Sequence, residues 1–210
     1  ANPEVLVIFD SEDLRGWWDA LPDVWKGVLS KAAKIQPNPT KEELARVTNL
    51  DSINFAENMD IQDMEPLRKL QKLRVVNASK TSLKDISPLE EHKEIRVLDI
   101  SDTHVGNISI LTQFSKLKVL RADRTNILDL DDLAASPGIE KIYADETAIN
   151  NFLVAQYLEK RPACLVIYKS TQLEEWWNEL PAEWKEVFQK QVAINTDSRK
   201  EDLHRLVELE

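Results

Sequence analysis

The sequence predicts an α/β solenoid, right-handed, with a concave parallel β-sheet and a small helical unit at each end. Three observations predict it. A six-residue pattern, apolar-x-x-apolar-x-apolar, starts at Leu50, Leu73, Ile95, Leu117 and Ile139, in steps of 23, 22, 22 and 22 residues. Units of this length are too small to bury their own apolar face and must stack on their neighbours. Behind each such strand pattern, further apolar residues recur every three positions, which suits a tight helical or irregular return segment. Finally, residues 3–50 align without a gap on residues 162–209, an offset of 159 at which 20 of 48 pairs are identical. The chain therefore divides into a first helical unit (1–49), five repeats (50–161) and a second helical unit (162–210).

The first unit opens with an apolar strand, VLVIF, and Ser11 is placed to cap the helix that follows. Pro22 fits the first turn of a second helix, where its missing N–H does no harm. Thr40-x-x-Glu43 is the capping box of a third. Trp17, Trp18, Leu21, Trp25 and Val28 share one broad helical face. The second unit repeats the plan: LVIY, Ser170, Pro181, Ser198-x-x-Glu201, and Trp176, Trp177, Leu180, Trp184 and Val187 on the matching face. Both copies keep that face, which points to packing against the ends of the repeat stack, because large aromatics dominate buried area. The alternative is an aromatic platform for sugar rings or proline-rich peptides.

The repeats themselves read Leu73, Val76, Ala78, Thr81, Leu83, Ile86 and Leu89, then Ile95, Leu98, Ile100, Thr103, Val105, Ile108 and Leu111. Leu117, Leu120, Ala122, Thr125, Ile127, Leu130 and Leu133 follow, and the fifth copy gives Ile139, Ile142, Ala144, Thr147, Ile149 and then Phe152 or Leu153. The first copy fits with one added residue: Leu50, Ile53, Phe55, Asn58, Ile61, Met64 and Leu67. This pattern resembles the leucine-rich repeat L-x-x-L-x-L-x-x-N-x-L, in the short bacterial form of internalin-like proteins. The repeat Asn survives only at Asn58; Thr81, Thr103, Thr125 and Thr147 replace it, which resembles the short secreted repeats of Bacteroidetes type. The resemblance implies a bacterial protein, secreted or at the cell surface, that binds other proteins.

Strand side chains that point away from the stack form the candidate partner-binding face: Val75, Asn77, Val97, Asp99, Val119, Arg121, Lys141 and Tyr143. Three stacked valines make a short apolar ladder among polar neighbours. The plain structural alternative is that valine suits strands and pairs well across them. At the eighth position of each repeat Glu57, Lys80, Asp102, Arg124 and Glu146 alternate in sign, as a ladder that supports the register would.

A formal charge of -10 argues against nucleic acid, whose binding relies on neutralising phosphates. No apolar run reaches the length of a membrane span. Cys164, the single cysteine, sits in the apolar run ACLVIY and reads as a buried thiol. His92, His104 and His204 lack metal-ligand spacing, and no nucleophile-elbow, HExxH or CxxC pattern occurs. The expectation is a non-enzymatic protein-interaction module without cofactor or metal. A broad open sheet has no deep cavity for a small molecule. The other readings are a glycan-binding surface protein and a structural spacer in a longer alternating array, of which this chain would be one period.

Overall fold

The structure, a computed structural model, describes residues 11–194 and 199–207. The VLVIF segment, Ser198 and Leu209 lie outside the described residues, as does the side chain of Ser11. Three helices come first: α1 (Ser11–Ala20), α2 (Asp23–Ala33) and α3 (Lys41–Thr48). Five strands follow at the repeat spacing: β1 (Ser52–Asn54), β2 (Val75–Asn77), β3 (Val97–Asp99), β4 (Val119–Arg121) and β5 (Lys141–Tyr143). Then come α4 (Asn151–Lys160), β6 (Leu165–Ile167), α5 (Ser170–Glu179), α6 (Ala182–Gln189) and α7 (Arg199–Val207).

The six strands form one parallel sheet in chain order. Ile53, Val76, Leu98, Leu120, Ile142 and Val166 pair in register as its inward rungs and are all buried. The strand of the second helical unit is thus also the sixth strand of the sheet. Between strands the chain returns through short 3-10 helices at Glu65–Lys69, Ser87–Leu89, Ser109–Gln113 and Asp131–Ala135. The fifth return is the full helix α4, capped by Asn150. Its register settles the choice left open by the sequence: Leu153 packs against the core while Phe152 faces solvent.

Each coil turns at its eighth position. Glu57, Lys80, Asp102, Arg124 and Glu146 all have positive φ, as does Lys169 one position earlier in the sixth coil, between 51° and 65°, and none is glycine. A left-handed backbone costs a non-glycine residue about 1–2 kcal/mol. It is offset where each amide meets the next coil: Glu57 N–H donates to Ser79 O (2.9 Å), Lys80 to Ser101 O (2.8 Å), Asp102 to Asp123 O (2.8 Å) and Arg124 to Asp145 O (2.8 Å). The side chains at these turns pair as their alternating signs require. Lys80 reaches Glu57 at 3.0 Å, and Arg124 bridges Asp102 (2.8 Å) and Glu146 (3.5 Å).

The threonines that stand in for the repeat Asn do a more local job. Thr81, Thr103, Thr125 and Thr147 each donate to the carbonyl three residues earlier, at 2.6–2.7 Å. The hydroxyl is too short to reach across to the next coil. Two buried polar side chains make inter-coil links instead: His92 Nε2 lies 2.9 Å from Leu67 O, and the Ser136 hydroxyl donates to Leu111 O at 2.6 Å.

At the first end, the Thr40–Glu43 capping box forms reciprocally at 2.9 and 3.2 Å, and Pro22 sits at the N-cap of α2. Trp18, Leu21, Trp25 and Leu29 join the core that runs without interruption to Val166. Trp25 meets Phe55 of the first coil with ring centroids 5.0 Å apart. At the other end the expectation for the tryptophan face fails. Trp177, Leu203 and Leu206 form a separate small cluster, and α6 buries none of its residues. Ser170 does not cap α5 either; Lys169 holds the cap position, and the Ser170 amide donates to Asp145 at 2.7 Å.

Candidate interaction face

The side chains flanking each inward rung point away from the core. One row runs Ser52, Val75, Val97, Val119, Lys141, Leu165, and the other Asn54, Asn77, Asp99, Arg121, Tyr143, Ile167. In the first row Val75 is 39% exposed, and Val97, Val119 and Lys141 are half-buried. The three valines therefore stand as a continuous apolar strip open to solvent on one side.

The second row has other commitments. The side-chain oxygens of Asn54, Asn77 and Asp99 each accept from the backbone amide two residues on, at 3.0 Å, and so terminate their own strands. Asn77 and Asp99 are half-buried, and Arg121 is exposed, with its guanidinium 4.2 Å above the Tyr143 ring. Tyr143 is the residue the sequence misplaces. It is only 4% exposed, because α7 lies over it, and its hydroxyl donates to Glu201 at 2.6 Å. Burial, followed by that hydrogen bond, pushes its phenol up to about 12.

Helices frame the face at both ends. Near β1 a cleft of about 830 Å³ is lined by Lys31 and Ala32 of α2 and by Ser52, Asn54, Val75, Asn77 and Ser79. Near β5 a cleft of about 490 Å³ lies between Arg121, Asp123 and Tyr143 on one side and Glu174, Arg199, Lys200 and Glu201 on the other. Below it sits Asp145, buried. It accepts from Lys200 Nζ at 2.8 Å and from the Ser170 amide, and its own amide donates to Asp123 at 2.8 Å. Burial works to raise the Asp145 carboxyl, but Lys200 and Ser170 outweigh it and hold the group below the ordinary range. Asp123, which has weaker support, is raised by burial.

His204, also buried, fixes α7 to the last strand. Its Nε2 abuts the Tyr168 amide (2.9 Å) and carbonyl (2.5 Å), and its Nδ1 lies 2.7 Å from Lys200 O. Sequence reasoning reads Asp145 only as a strand-face position, Glu201 only as part of a capping box and His204 only as an isolated histidine, and it passes over Lys200. One signal was available: at the place of His204 the first unit has Ala45, and such a difference between duplicated units marks where they meet different neighbours.

No protein-family model and no curated relative matches the chain. Solved structures do. An internalin (inlF) of Listeria monocytogenes has 18% identity and a TM-score of 0.53 over 60% of this chain and 36% of that one. Internalin C2 (inlC2) of the same species has 24% identity and a TM-score of 0.54 over 60% of this chain and 55% of that one. A leucine-rich-repeat protein of Leptospira interrogans, LIC12759, has 13% identity and a TM-score of 0.50 over 59% of this chain and 38% of that one. The matches thus span between about a third and just over half of those chains. At these identities the likeness is one of fold: the architecture is a leucine-rich-repeat α/β solenoid.

Proposed function

We propose that this protein is a non-enzymatic interaction module that receives a partner protein on the open face of its sheet. The observation that carries this reading is the valine strip Val75–Val97–Val119, uncovered between two helical walls and flanked by Arg121 and Lys141. Apolar contact surrounded by charged groups of fixed position is the makeup of a protein interface core and its rim. Asn77 and Asp99 belong to this face as shaping residues, since their side chains are engaged with the backbone, and Tyr143 serves as the floor beneath Arg121. The fold shared with internalins supports a bacterial surface or secreted setting for such a module.

The test uses a photo-crosslinking residue introduced at Val97 and, as control, at Leu128, which is exposed on the return side of its coil. A partner captured from Val97 alone, and lost on Val119→Lys with an unchanged thermal melt, supports the reading. Equal capture from both positions, or survival of capture in Val119→Lys, refutes it. Val97→Lys itself is expected to fold, because the side chain only has to extend into solvent.

A further inference from the structure

The two helical units share one sequence plan but not one environment. In the first, Trp25 of α2 is 2% exposed, its ring tilted at 54° against Phe55, and Leu29 is fully buried. Asn54, Phe55, Ala56 and Asn58 of the first coil line one crevice together with Val24, Gly27 and Val28 of α2. In the second unit the same positions are open: Trp184 is 55% exposed, Val187 47% and Trp176 36%. The Trp184 ring lies 6.0 Å from that of Phe188, which in turn lies 5.8 Å from Trp176. Large aromatics are costly to leave in water and mark contact surfaces when they cluster.

The chain itself records what such a face holds. At an offset of 159 residues, Trp184 is the counterpart of Trp25, Val187 of Val28 and Trp176 of Trp17. The occupant of the first face is a leucine-rich coil that follows its helical unit directly, with Phe55 against Trp25. The route is repeated as well: α7 corresponds to α3, and Leu209 to Leu50, from which β1 departs. We infer that the open face of α6, with Trp176 of α5, is the seat of a leucine-rich coil joined in tandem behind the second unit. The second unit is then a joint between two solenoid arrays, with β6 and α7 closing one and α6 opening the next. This stands apart from the reading of the sheet face and does not depend on it.

The experiment extends the full chain behind Glu210 with a second copy of residues 52–161, which sets the added strand at the distance from α6 that β1 has from α2. Acrylamide quenching of Trp184 alone is obtained by difference against a Trp184→Phe variant, with and without the extension. Trp25, read the same way, gives the level of a seated residue. In the extended chain the quenching of Trp184 should fall to the Trp25 level. Val187→Glu should lower the melting temperature of the extended chain and leave the unextended one unchanged. Four outcomes overturn the inference. One is Trp184 quenching that the extension does not alter. A second is an extension that stays unfolded beside an intact second unit, because the first unit supports the same coil sequence. The third is shielding of Trp184 in the unextended chain that grows with its concentration and tracks a dimer in sedimentation, which would make a second copy the occupant. The fourth is a Trp184 emission shift on adding soluble oligosaccharides, which would make the face a sugar platform.

Discussion

Two tryptophans that the duplication makes equivalent differ in the environment each finds. Trp25→Ala removes a ring packed into the main core and should cost about 3–5 kcal/mol, whereas Trp184→Ala removes an exposed one and should cost less than about 1 kcal/mol, both read from urea unfolding. Asp145 offers a second test. Its folded-state pKa lies below the unfolded value, so its contribution is present at neutral pH and is lost as pH falls through the folded value. Asp145→Asn should therefore destabilise the protein at pH 7, and the difference from the parent should shrink steadily in melts taken down through the carboxylate range. Asp123, raised by burial, works in the opposite sense: its ionised form strains the fold at neutral pH and the strain is relieved in acid. A difference that grew toward acid would mean that the Lys200 and Ser170 contacts do not hold Asp145 ionised. The repeat register places both carboxylates beside the sheet face, but not their partners, since each acquires its role from a helix more than fifty residues further on or from a neighbouring coil.

The strands were legible because a three-residue strand with one buried centre needs only its rung, and the rungs recur at a fixed step. The turns were not. Left-handed positions without a glycine or an asparagine give no local signal; at Glu57, Lys80, Asp102 and Arg124 the conformation is imposed by amide bonds to the next coil, which exist only in the stack. The alternating charges at the same positions were readable, because like charges at strand spacing would repel. The glycine that matters is elsewhere. A Cβ on Gly138 would lie 2.8 Å from Ser115 O and 3.0 Å from Leu117 O, both main-chain atoms of the preceding coil that cannot swing aside. Gly138→Ala should push the fourth and fifth coils apart, at a cost of about 1–3 kcal/mol. A thermal melt, with hydrogen exchange slowed less in β5 than in β2, would register it; unchanged stability would mean that the coils stack more loosely than the geometry states.

Over the whole molecule, the apolar positions among the described residues form one core from Trp18 to Val166 and a second, smaller one at Trp177, Leu203 and Leu206. The repeat period made the strand rungs and the return positions of the first core readable, but not Leu70, Phe114, Val154 or Tyr157, which fall outside the pattern. The second was misread, because identical faces were expected to meet identical surroundings. Polar links join the two, Tyr143 to Glu201, Lys200 to Asp145, and His204 to the Tyr168 backbone, beside the buried Ile167. Such links fix position, but they contribute about 1–3 kcal/mol each at most, while a solenoid core unfolds as a unit through its nearest-neighbour interfaces. The small cluster should consequently open first. In urea, Trp184→Phe and Trp176→Phe should remove an early fluorescence change that Trp25→Phe leaves in place, and far-UV signal from the sheet should persist through it. Replacing His204 by Ala, the residue the first unit carries at that place, should widen the gap between the two steps by loosening α7 from β6. Coincident transitions for Trp25 and Trp184 would show instead that the polar links couple the second unit to the sheet as tightly as packing couples the first.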